Sequence, residues 1–161
     1  KDSVLFKAMS IQTVKFWQPD VTVAVVAVHH GRLLIVEEHV SGRDVFNQPA
    51  GHLEPEESIM DAAIRETLEE TGWQVQLSEF IGAYQWTAQE TGQQYLRMAF
   101  SAQPVQHFPD RELDQGIIAA HWLTPGEIQA LSARHRSPLV WKVIEDYLAG
   151  QRSPLGFVQS L

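Results

Sequence analysis

Three closely spaced carboxylates limit what this sequence can fold into. Glu66, Glu69 and Glu70 stand at i, i+3 and i+4 in the segment GHLEPEESIMDAAIRETLEETGW, from Gly51 to Trp73. On a helix they share one face, within an arc of roughly 100°. Like charges at that spacing repel by a few tenths of a kcal/mol per pair, on the order seen in isolated helices. The face therefore needs a positive partner. Mg²⁺ is the natural candidate, because this hard cation takes oxygen ligands and accepts a few carboxylates together with substrate phosphates.

The helix is well bounded. Ser58 followed by Asp61 is a capping-box-like start, and Gly72 suits a left-handed C-terminal position. Asp61, Arg65 and Glu69 recur at intervals of four, so Arg65 is expected to bridge two anions. Met60, Ile64, Thr67, Leu68 and Thr71 lie roughly opposite the carboxylates and are the expected core face. The turn-rich stretch Asn47 to His52 can bring backbone carbonyls near the acidic face. A solvated, Glu-rich surface helix is the plain alternative. It leaves Gly51, Glu57, Arg65, Glu66, Glu69, Glu70 and Gly72 at fixed offsets unexplained.

Those residues, with Trp73, match position by position the Nudix box, G-x5-E-x7-R-E-U-x-E-E-x-G-U, where U is bulky and apolar. The segment resembles the Nudix hydrolase family. Thr67 occupies the first U position, where its methyl can still pack. The similarity extends to Val21–Ala27, Phe46–Glu54, Gln85-Trp86, Leu96-Arg97, Arg136–Val140 and Gly150-Gln151-Arg152, which look like one branch of the family, the NudJ-type bacterial phosphatases. It covers the chain from about Pro19 to Leu155 and departs at both ends and from Gln103 to Gln115.

The resemblance implies an α/β (α+β) fold, a mixed β-sheet sandwiched between helices in an α/β/α arrangement. It implies hydrolysis of a nucleoside diphosphate linked to another moiety, with Mg²⁺ or Mn²⁺. By the same carry-over, Glu66, Glu69 and Glu70 are metal ligands, joined by the Gly51 carbonyl. Glu66 and Glu69 are also candidate catalytic carboxylates, and an outer-sphere glutamate or a metal-bound hydroxide is equally open as the base, since a metal-bound carboxylate is poorly basic. Arg65 would orient the glutamates by hydrogen bonds. Glu57 would pair with Arg65 or reach the metal through water.

Outside the box the candidates each carry an ordinary alternative. Asp114, and less so Glu112, precedes a strand where some family members place an extra ligand or base; a solvated loop acid is the alternative. Arg97 in an apolar strand suits phosphate recognition or an exposed strand face. Phe46, Tyr84 and Trp86 can stack on a base or pyrimidine ring, or fill the core. His52, close to the acidic face by sequence, is read as a capping or loop-packing histidine.

A chain of 161 residues with 44% hydrophobic residues can bury a core. Its formal charge of −8 disfavours a nucleic-acid polymer as partner. There is no cysteine, so a disulfide framework is excluded, as is the catalytic cysteine of isoprenoid diphosphate isomerases that share the fold. No apolar run is long enough to span a bilayer, and a cytoplasmic location is expected. Residues 1–15 are expected to form an N-terminal extension or vector remnant, with Met9 a candidate natural start, and residues 16–161 one domain. Expected strands are Val21–Val28, Leu33–Val36, Val75–Trp86, Tyr95–Phe100 and Ile117–Trp122, with helices opening at Thr124-Pro125 and Ser137-Pro138.

The expected partner is a small phosphorylated substrate, a nucleotide or pyrimidine diphosphate, acted on by a monomer or small homo-oligomer. The branch resemblance implies a broad nucleoside tri- and diphosphatase that also accepts hydroxymethylpyrimidine diphosphate, a thiamine-pathway intermediate. The alternatives are a selective hydrolase of a nucleotide sugar, dinucleoside polyphosphate or capped RNA, and a non-catalytic nucleotide-sensing module.

Overall fold

The computed structural model describes residues 17–161. The expectation of an N-terminal extension over residues 1–15 lies outside the described residues.

The strand β1 (Asp20–His29) organises the sheet. It runs parallel to β6 (Gln94–His107), with Asp20–Ala27 facing Tyr95–Ala102 in register. On its other side it pairs antiparallel with the short β4 (Ala50–His52). His30-Gly31, both at positive φ, turn it into β2 (Arg32–Val40). That strand pairs with β3 (Arg43–Asn47) and β7 (Ile117–Leu123), while β5 (Trp73–Thr87) lines β6 antiparallel.

Successive strand residues point to opposite faces, and the core divides accordingly. Val23, Val25 and Ala27 face α1 (Ile59–Thr71) through Ala62 and Ala63, with Phe100 and Val75 in the same cluster. Val26 faces the other way, with Ile128 from α2 (Pro125–Ala130) and Val140, Val143 and Ile144 from α3 (Pro138–Leu148). The mixed sheet thus lies between α1 and α3, as the resemblance implied.

Both later helices start where the sequence places them. Thr124 and Glu127 close a reciprocal capping box around Pro125, and Ser137 caps α3 before Pro138. β6 runs well past Phe100, to His107, because β5 pairs with it along its length. The ladder slips register between Gln74 and Val75, beside the Val75–Pro104 pair. A proline lacks the ladder N–H and is tolerated at such irregularities. His52 and its neighbours, expected as a turn, instead form β4.

The buried face of α1 differs from the expected one. Ala62, Ala63, Thr67 and Thr71 are buried together with Glu70, Met60 and Ile64 are only partly buried, and Leu68 joins neither core cluster. Small side chains let the helix approach the sheet closely, which a Leu–Met–Ile face would prevent. The threonine hydroxyls are satisfied within the helix, Thr67 donating to the Ala63 carbonyl at 2.8 Å and Thr71 to that of Thr67 at 2.5 Å. Asp61 accepts from Ser58 and forms no ion pair with Arg65.

Gly72 ends α1 at φ 70°, with its N–H donating to the Leu68 carbonyl. Its own carbonyl accepts from Phe108 N–H at 2.8 Å, and two turns of loop later Asp114 N–H donates to the Glu69 carbonyl at 3.1 Å. These two bonds fasten the 108–116 loop onto the helix end. A Cβ at position 72 would stand 2.9 Å from the Phe108 carbonyl oxygen. Gly72→Ala is expected to cost about 2 kcal/mol, combining left-handed strain with that overlap, read as a lower midpoint in urea unfolding.

Candidate active site

Arg65 is the hub of the acidic face. Its Nε and Nη2 donate to the two oxygens of Glu57 at 3.0 and 2.7 Å. Nη1 donates to Glu66 at 2.9 Å and to Glu69 at 3.0 Å, and Nη2 also reaches the His52 carbonyl at 3.1 Å. One guanidinium therefore positions three carboxylates and the end of β4. Its hydrogen bonds to Glu57 raise its own pKa above the usual arginine value, and the same contact lowers that of Glu57. Glu57 thus sits in the Arg65 pair, one of the two placements the sequence allowed.

Glu66, Glu69 and Asp114 each offer a carboxylate oxygen, and the three oxygens lie within 4.8 Å of one another. Asp114 is exposed, Glu69 partly so, and Glu66 keeps only 12% side-chain exposure. Burial raises the pKa of Glu66 against the pull of Arg65. Gly51 lies directly against it: a Cβ there would overlap the Glu66 carboxylate. Absence of a side chain at position 51 is what allows β4 and α1 to meet at this point.

Glu70 turns inward rather than joining that trio. It is 8% exposed, and one of its oxygens accepts from Ala50 N–H at 2.9 Å. Burial pushes its carboxyl up to about 9, assisted by the charges of Glu66, Glu38 and Asp114 and opposed by the Ala50 bond. A set of oxygen donors alone fits a hard divalent ion. Glu66, Glu69, Glu70 and Asp114 are the side chains that can hold one.

Above these groups opens a cavity of about 610 Å³ lined by Gly51, Glu66 and Glu70 at one end. Arg97 on β6 lines it while only 8% exposed, and Trp86 stands on its wall. Trp86 is stacked on its cross-strand partner Tyr95, with ring centroids 5.6 Å apart. Two of the expected stacking residues lie elsewhere. Phe46 is 6% exposed, packed in the α3-side core with the Arg134 guanidinium 4.6 Å above its ring. Tyr84 also packs there, donating to Asp146 at 3.0 Å. Strand alternation turns Phe46 away from the cavity that its neighbours Val45 and Asn47 line, whereas Tyr84 shares the face of Trp86 but is held against α3. His52 is exposed, beside Asp20, and Glu112 is an exposed loop residue.

Sequence reasoning did not single out Thr22, Asn47, Tyr95, Arg43 or Arg136, all of which line the cavity. Their only sequence signal is position: Asn47 opens the Asn47–His52 turn and Arg136 precedes the Ser137 cap.

This chain belongs to the Nudix family, with residues 17–142 matching the NUDIX domain. Phosphatase NudJ of Escherichia coli K12 is 41% identical to it over 142 residues, which cover 88% of this chain and 92% of that protein. Phosphatase NudJ of Shigella flexneri aligns with the same figures. A solved NUDIX hydrolase from Nitrosomonas europaea is 49% identical, with a TM-score of 0.88, covering 89% of this chain and 98% of that one. A UDP-X diphosphatase, 18% identical with a TM-score of 0.69 over 89% of this chain and 69% of that one, shares the fold. The protein is accordingly a hydrolase of phosphoanhydride bonds in small phosphorylated substrates, from a family that uses divalent metals generally.

Replacing Gly51 by Ala should displace the Glu66 carboxylate and leave the core intact. Mn²⁺ affinity measured by electron paramagnetic resonance is expected to fall about tenfold or more, with little change in the circular dichroism spectrum.

Proposed function

We propose that the protein is a Mg²⁺-dependent phosphatase and pyrophosphohydrolase of small phosphorylated compounds, with Mn²⁺ able to substitute. Its substrate class is nucleoside tri- and diphosphates together with hydroxymethylpyrimidine diphosphate. The reading rests on one observation above all: the clustered oxygens of Glu66, Glu69 and Asp114, with Glu66 also lining a cavity that contains the buried cation Arg97. The 41% identity to proteins named Phosphatase NudJ supports the phosphatase reading.

A divalent ion bound by Glu66, Glu69, Glu70 and the Gly51 carbonyl would neutralise phosphoryl oxygens and acidify water. The remaining work falls to the chain. Arg65 holds Glu66 and Glu69 in place, so no reorganisation of these carboxylates is needed when the substrate arrives. Glu57 keeps Arg65 in its orientation through the two-point pair. Asp114, exposed and outside that ligand set, is placed to take a proton from an attacking water. Glu66 and Glu70 lie deeper and bind rather than exchange. Trp86 and Tyr95 offer an aromatic wall for a nucleobase or pyrimidine ring. With no cysteine, the chain suits a reducing cytoplasm.

Phosphate release from GTP and from hydroxymethylpyrimidine diphosphate should require Mg²⁺ and vanish with a chelator. Glu70→Gln should lower the rate by about 100-fold or more. Activity that survives chelation, or equal rates for the variant, would sink the assignment. Product identity, orthophosphate or pyrophosphate, separates the phosphatase from the pyrophosphohydrolase mode.

A further inference from the structure

The cavity floor holds polar atoms that nothing in the fold satisfies. Thr22 Oγ1, Asn47 Oδ1, and Nε and Nη1 of Arg97 are buried without a hydrogen-bond partner. The three residues are 5%, 7% and 8% exposed, and all three line the cavity. Among the described residues the other such side-chain atoms belong to Gln48 and Gln94, and neither residue lines it. The unsatisfied groups are therefore concentrated beside the acidic cluster.

Their placement is rigid. Thr22 and Arg97 face each other in register across the parallel β1–β6 pair, and Asn47 ends β3. The neighbouring carboxylates are engaged elsewhere: Glu70 with Ala50 N–H, Glu38 with Arg136 at 3.1 Å. Both act on Arg97 through space only. Burial lowers the guanidinium to about 10, so it stays charged at neutral pH. An unpaired buried cation is costly for the fold. Buried groups left unsatisfied in a native protein point to a ligand or water that satisfies them.

We propose that Thr22, Asn47 and Arg97 form a seat for a phosphoryl group of the substrate. Arg97 neutralises the group's charge, and the Thr22 hydroxyl and the Asn47 amide donate hydrogen bonds to its oxygens. The amide does so once its oxygen and nitrogen exchange places, positions that hydrogen bonding alone assigns. A phosphoryl group fits better than an uncharged ring, because the floor offers a full cation within reach of the metal-binding carboxylates. The inference rests on the hydrolytic reading above. It adds the residues outside the box that select a phosphate for the floor.

The test uses the full chain with Mg²⁺ and methylenediphosphonate, a non-hydrolysable diphosphate mimic, titrated calorimetrically. Arg97→Met should weaken binding at least about tenfold, Arg97→Lys less, and Thr22→Val several-fold. Without the probe, Arg97→Met should raise Tm by about 2–4 °C, because an unpaired buried charge is removed. A fall in Tm would mark Arg97 as a structural ion and overturn the seat. Unchanged binding in Arg97→Met and Thr22→Val would also overturn it, while wild-type hydrolysis would leave the hydrolytic reading standing. Equal weakening toward an unphosphorylated nucleoside would assign the floor to the base instead, and overturn the proposal. Arg97-dependent binding by a wild type that hydrolyses no phosphoanhydride would support the seat and refute the hydrolytic reading.

Discussion

The site depends on one guanidinium. Glu57, Glu66 and Glu69 crowd one side of α1, and their mutual repulsion would spread them into solvent without compensation. Arg65 answers all three with four hydrogen bonds of 2.7 to 3.0 Å, and a fifth ties it to the His52 carbonyl. Because a guanidinium is planar and carries several donors in fixed directions, it sets orientation as well as charge. A lysine at this position would supply the charge without the geometry. The helix, the short β4 and the entrance residue Glu57 therefore form one unit.

The second dependence is steric. Gly51 and Gly72 sit at opposite ends of the helix segment, and each permits a backbone approach that a side chain would block. At Gly51 the vacancy admits the Glu66 carboxylate beside β4. At Gly72 it admits the Phe108 carbonyl, and with it the loop that carries Asp114 to Glu69. Between them, two missing methyl groups bring a local helix into register with two distant segments. The acidic cluster is built by close packing as much as by charge.

Much of this could be seen in the chain itself. The Ser58 start, the Gly72 stop, the Arg65–Glu69 pair and the Thr124 capping box all follow from spacings of three or four residues. The strands followed from apolar runs, except where Pro104 interrupted the pattern or where β3 and β4 were too short to show one. The α1 core face was misjudged because size, not hydrophobicity, governs how close a helix lies to a sheet: Ala62 and Ala63 took the place assigned to Leu68. Phe46 and Tyr84 were indistinguishable from Trp86 by residue type. Strand alternation takes Phe46 off the cavity wall, and the cover of α3 separates Tyr84 from Trp86 two residues further on.

By itself the sequence determined a helix with its caps, a cluster of carboxylates on it and one arginine able to hold them, because each follows from local periodicity. The tertiary structure decided which of those carboxylates meet. It buried Glu70, brought Asp114 to Glu66 and Glu69 from a distant loop, and set Thr22 opposite Arg97 beneath the cavity. Such contacts join residues tens of positions apart. Their geometry depends on strand register and on how closely α1 lies against the sheet, and neither is encoded in the spacing of residues along a single segment.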